Sequence, residues 1–208
     1  AEDADLAKAE PRFNFDNKSW MLPSSESEYQ EGINSLSRYQ ARLSDPNQKN
    51  ALFYARADNL NNWLGDVGTR LGSLSQRLSA SVGRVKLNSA LKTESLQPGQ
   101  VPVVDEEVVE TPWMQIDNVF YEARGQAWAL SHLLRAIEVD FADVLAKKNA
   151  TVSVRQIIRE LEAAQEPVWS PMILNGSGYG VLANHSLVMA NYISRANAAV
   201  MDLRQLLS

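Results

Sequence analysis

The sequence predicts an all-α protein: a multi-helix bundle of about four long heptad-patterned helices plus one short helix, with a long acidic loop. The first observation behind this is a seam from Ile116 to Val144. In it Ile116, Phe120, Ala123, Ala127, Leu130, Leu134, Ile137, Phe141 and Val144 follow at alternating spacings of four and three. Such spacing places every member on one face of a helix. The second observation is that other long stretches repeat the pattern. The third is the lack of a convincing sheet, since strict two-residue alternation bounded by turns does not recur along the chain.

The seam between Ile116 and Val144 is flanked by further apolar residues, Trp128, Ala129, Ala136, Val139, Ala142 and Ala146. A helix apolar on most faces is expected to be buried, so this one is expected to be the central rod of the bundle. A length of 208 residues and an apolar fraction of 45% supply material for a core. The net charge of −5 speaks against bulk binding of nucleic acid. The chain has no cysteine, which excludes disulfides, zinc–thiolate sites, iron–sulfur clusters and thiol nucleophiles. The longest uncharged run, 167–194, is interrupted by glycine, proline and asparagine and is not a membrane span. The chain opens on Ala1 and at once carries Glu2, Asp3 and Asp5. The expectation is a processed protein or an excised fragment, with any membrane anchor lying upstream.

Residues 1–23 are acidic and contain Pro11 and Pro23, with Phe13, Phe15, Trp20 and Leu22 between. They are expected to form an extended arm, followed by one helical-bundle domain over 24–208. Ser25 with Glu28 has capping-box spacing, and Tyr29, Ile33, Leu36, Tyr39 and Leu43 share the face of a first helix ending at Asp45-Pro46. A second helix carries Ala57, Leu60, Leu64, Val67, Leu71, Leu74 and Leu78 and runs unbroken to about Asn88. Gly65, Gly68 and Gly72 in its middle allow a close neighbour or mark a bend. Arg56, Arg70, Arg77 and Arg84 flank the seam at multiples of seven, with Trp63 between them. Their expected partners are Glu122, Glu138, Asp140 and Asp143.

The pattern dissolves at 93–112, where Gln97-Pro98-Gly99 is turn chemistry and Asp105, Glu106, Glu107 and Glu110 supply charge. This segment is expected to be a mobile linker, its valines forming a short strand or packing on the surface. Thr111 caps the next helix with Pro112 at its first position, and that helix runs to about Lys148. After a turn at 149–151, Ser153 with Gln156 opens a short helix with Val154, Ile157, Ile158 and Leu161 inward, closed by Glu166-Pro167. The last helix carries Leu182, Ser186, Met189, Ile193, Ala196, Val200, Leu203 and Leu207.

Between those two helices lies the most unusual local sequence, Trp169-Ser170-Pro171 followed by the glycine-rich run Asn175 to Gly180. Amides of such a loop before a helix can hold an anion, but the lysine, strand and spacing of the nucleotide motifs are missing. A glycine-rich turn before a helix ordinarily serves the turn. Trp169, Ser177, Gly178, Tyr179 and His185 form the candidate ligand or partner site. A Ser177–His185 hydrolase lacks the nucleophile elbow. The two histidines, His132 and His185, stand in no metal-ligand motif. The residues therefore imply no enzyme, no cofactor and no metal.

Several longer strings carry a resemblance: Phe13-Asn14-Phe15-Asp16-Asn17, Trp20-Met21-Leu22-Pro23-Ser24, Phe53-Tyr54-Ala55-Arg56-Ala57-Asp58-Asn59-Leu60, and the run from Arg70 to Val82. So do Thr111-Pro112-Trp113-Met114 and the C-terminal strings from Trp169 to Leu187. Together they resemble a bacterial family known only as domain of unknown function 2333. The resemblance implies an inner-membrane protein with one N-terminal span and a periplasmic soluble region, and it brings no active-site residue.

The function expected is a protein-interaction or structural module of a membrane-anchored bacterial envelope protein. Its partner would be another envelope protein; no nucleic acid is involved, and the membrane is met only through an anchor outside this chain. Heptad seams are equally compatible with a homo-oligomer. The alternative is a small-molecule-binding or sensing domain with a pocket where 168–180 meets the helices.

Overall fold

The computed structural model describes residues 3–9, 25–47, 51–87, 106–176 and 181–208. They form two compact units, Ala1–Tyr54 and Ala55–Ser208.

The first unit holds α1 (Ala4–Ala9) and α2 (Ser25–Ser44). The arm expected over 1–23 is thus helical at its start, and Phe13 to Leu22 lie outside the described residues. Helix α1 begins because the Asp3 carboxylate accepts the Asp5 amide at 2.9 Å, satisfying an orphan N–H of the first turn. Arg42 then donates to both Asp3 and Asp5 at 2.7 Å, and Arg38 to Asp5 at 3.1 Å. The helices meet through small residues. Gly32 and Ser35 are buried, and a Cβ on Gly32 would stand 2.9 Å from the Ala9 carbonyl. Because α1 offers acids to α2's arginines, the charged and small face of α2 is the one held. Most of its expected seam faces solvent: Tyr29, Ile33, Leu36 and Leu43 are exposed, while Tyr39 is half-buried and donates to the Leu52 carbonyl at 2.9 Å. Helix α2 lies within the first unit.

The second unit is the bundle. Helix α3 (Ala57–Ser79) buries Leu60, Leu64, Val67, Leu71, Leu74 and Leu78, the face that its spacing predicts. Burying each leucine contributes about 1.5–3 kcal/mol of transfer free energy. The helix stops sooner than expected. A single 3-10 turn, Ala80–Val82, leads to Gly83 at φ 80°, outside helical space, and then to β1 (Arg84–Leu87). This strand pairs antiparallel with β2 (Glu106–Val109), Arg84 opposite Val109 and Leu87 opposite Glu106. The end of the expected acidic loop is thus a strand; 88–105 lie outside the described residues.

Thr111 does not cap the next helix, because its amide donates to the Ala80 carbonyl at 3.0 Å and Pro112 has an extended ψ of 136°. A 3-10 turn at Trp113–Gln115 intervenes before α4 (Ile116–Asp140). Phe141, with φ −106° and ψ 18°, breaks the expected continuous helix, and α5 (Ala142–Lys147) follows. Asn149 takes φ 52° in the turn, as asparagine tolerates. Helix α6 (Thr151–Ala163) starts two residues before the expected Ser153 box, whose Gln156 donates to Glu160 instead. It buries Val154, Ile157, Ile158 and Leu161, as expected.

Helix α7 (His185–Leu207) buries Ser186, Met189, Ile193, Ala196, Val200, Leu203 and Leu207, again the predicted face, while Leu182 precedes it and is exposed. It packs on α3, α6 and α4, so α7 and not α4 is the central helix. Small side chains are the reason, since they let neighbours approach on several sides. A Cβ on Gly68 of α3 would lie 3.5 Å from Asn197 Oδ1 and 3.7 Å from Val200 Cγ1, an ordinary contact, so α3 runs unbroken through its glycines beside α7. The outer face of α4 is open, with Trp128 58% and Val139 75% exposed.

Candidate functional site

The loop before α7 is closed by its own backbone. The His185 amide donates to the Leu174 carbonyl at 2.9 Å, and the Gly176 amide donates to the Ala183 carbonyl at 3.1 Å. Asn175 and Asn184 pair as an antiparallel bridge. The Asn184 side chain caps α7 by accepting the Leu187 amide at 2.8 Å and donates its amide to the Gly176 carbonyl. Glycine at 176 answers a close approach of backbone. A Cβ there would lie 2.2 Å from the Leu182 carbonyl oxygen, inside any allowed contact. The glycine chemistry at this position serves the turn. Ser177, Gly178 and Tyr179 lie outside the described residues.

Trp169 and His185 do come together. They line a cavity of about 230 Å³ between the end of α6 and the start of α7. Phe120 of α4 and Tyr192 of α7 also line it, with Val168, Met189 and Glu166. The Leu174 amide donates to His185 Nδ1 at 3.0 Å, so the neutral ring carries its proton on Nε2 and presents a donor there. His132 is elsewhere, exposed on α4, with its ring edge-on to Trp128 at 4.5 Å between centroids.

A larger concavity lies between α3 and α4. Each helix packs on α7, but they meet one another sparsely. A groove of about 410 Å³ remains, lined by Trp63, Val67 and Leu71 from α3 and by Ala129, Leu130 and Leu133 from α4. Asp66, Arg70 and Gln126 give it polar edges. Further along the same helix pair, the Arg77 guanidinium grips both oxygens of Glu122, as the arginine row predicts. That bond holds the Glu122 carboxyl below its ordinary range. Arg56 and Arg70 of that row differ, and the side chain of Arg84 lies outside the described residues. Arg56 pairs with Asp58 on its own helix, Arg70 lines the groove, and Glu138 pairs with Arg155 of α6. Sequence reasoning did not reach the groove. The signal was present in Trp63 and Ala129, apolar residues beside but not on the seams.

The model of a family described as an uncharacterised protein conserved in bacteria, domain of unknown function 2333, matches residues 1–208. The chain belongs to this family. No curated protein and no solved structure matches it. Among the described residues, no helix is long and apolar enough to cross a membrane, and no three His, Asp or Glu side chains gather where a metal ion could be held.

Proposed function

We propose that this chain is a protein-interaction module whose α3/α4 groove receives an amphipathic helix from another protein of the bacterial envelope. The observation that carries this reading is the groove itself. Two helices expose an apolar trough of about 410 Å³ where a third would complete the packing. An amphipathic helix laid in such a trough buries residues at i, i+3, i+4 and i+7. Leu133 is 53% exposed, so surface remains there to be buried. Asp66 and Arg70, one acidic and one basic, set the helix's direction and register by pairing with opposite charges beside its apolar stripe. Placement on the periplasmic side of the inner membrane rests on the family resemblance and not on the groove.

The test is site-specific photo-cross-linking in cells of the intact protein. A benzophenone amino acid is placed at Gln126 or Leu133 in the groove, and at Met201 on the exposed side of α7. The reading expects one adduct from both groove positions, mapping by mass spectrometry to an amphipathic helix and lost in Ala129→Arg. Equal adducts from Met201, or none from the groove, would refute it. A second reading is small-molecule binding at the cavity that Trp169 and His185 share.

A further inference from the structure

The cavity beside Trp169 has a definite chemical character. Among the described residues three aromatics line it: Phe120, buried; Tyr192, half-buried; and Trp169, 95% exposed. An indole left in water contributes almost nothing to the core, and its surface stays open to a ligand. Aromatic faces carry a negative quadrupole potential and attract cations. Glu166, an acidic residue, belongs to the same lining.

Ala164, Val168 and Met189 add apolar wall. A compact, strongly hydrated cation would lose water there with little to replace it. A methylated ammonium spreads its charge over carbon atoms and sheds water cheaply, and aromatic pockets favour it for that reason. A trimethylammonium head with a two-carbon chain fits within about 230 Å³. For an oxygen on such a ligand, the His185 Nε2–H is a donor, because Nδ1 already accepts the Leu174 amide.

We propose that this cavity binds a small quaternary ammonium compound, its cation among Phe120, Trp169, Tyr192 and Glu166 and its oxygen at His185. The inference rests on the second reading, that the cavity takes a small molecule. The ammonium group can belong to a soluble compound or to a lipid headgroup.

The experiment is fluorine NMR of the full chain labelled with 5-fluorotryptophan, the Trp169 resonance being assigned by its loss in Trp169→Phe. Choline is titrated against 3,3-dimethylbutan-1-ol, its uncharged isostere. Choline is expected to shift Trp169 saturably and to bind about ten-fold more tightly than the isostere. Glu166→Gln is expected to weaken choline about three-fold, leave the isostere unchanged and leave the melting temperature unchanged, since Glu166 is exposed. Phosphatidylcholine vesicles that displace choline would assign the headgroup; vesicles without effect would assign a soluble compound. Equal affinity for choline and the isostere would overturn the ammonium assignment while leaving an apolar small-molecule pocket. No saturable shift with either would overturn both.

Discussion

Asn184 holds both ends of the loop before α7: its oxygen accepts the Leu187 amide, and its amide group donates to the Gly176 carbonyl. One side chain therefore starts the central helix and ties it to the segment that leads to Trp169. Asn184→Ala is expected to cost about 1–2 kcal/mol, the worth of a helix cap and one buried bond. Gly176→Ala is expected to cost more, above about 2 kcal/mol, because the new methyl would overlap the Leu182 carbonyl and the bridge would have to open. Urea denaturation of both variants measures this. A silent Gly176→Ala would show that the loop is not closed as described.

Gly125 of α4 presents the opposite case. A Cβ there meets nothing within 4 Å. Gly125→Ala is expected to stabilise the chain by about 0.5–1 kcal/mol through helix propensity and a less free unfolded state. A rise in the urea midpoint at unchanged slope is the expected result.

The two sides of α4 should respond differently. Leu134 is 0% exposed, and Leu134→Ala is expected to cost about 2–5 kcal/mol. Val139, on the outer face, should tolerate alanine within about 0.5 kcal/mol. Comparable losses at both positions in thermal unfolding would restore α4 as a rod buried on all sides.

Acid should remove one contribution selectively. The hydrogen bond from Arg77 lowers the Glu122 carboxyl from its ordinary value of 4.5. A carboxylate with a lowered folded pKa stabilises the fold above the unfolded value, and that stability fades as pH falls through the folded one. Both side chains are partly exposed, so the pair is worth about 0.5 kcal/mol at most. Glu122→Gln is therefore expected to lower the urea midpoint slightly at pH 7, with the difference shrinking once the pH passes below 4.5. A difference that grows in acid would contradict the pairing.

The inward faces of the bundle were legible without coordinates. Leu60 to Leu78 and Ser186 to Leu207 are buried where their spacing places them, because helical periodicity alone decides which side chains share a face. Family membership and the all-α class were legible for similar reasons of local pattern and string. Trp169 and His185 could be named as unusual, but nothing local brings Phe120 to them. The Phe141 break and the strand after Gly83 were missed because one residue's dihedral angle overrides a continuing apolar pattern.

By itself, then, the sequence determined that the long segments are helical and which side of α3, α4, α6 and α7 turns inward. Tertiary structure decided which helix stands in the middle, which seam stays in water, and where two helices fail to meet. Spacing is a property of one helix, whereas packing is a property of pairs. Helix α3 packs along α7, with Gly68 beside Asn197 and Val200, while α3 and α4 meet sparsely and leave the groove between Trp63 and Leu133.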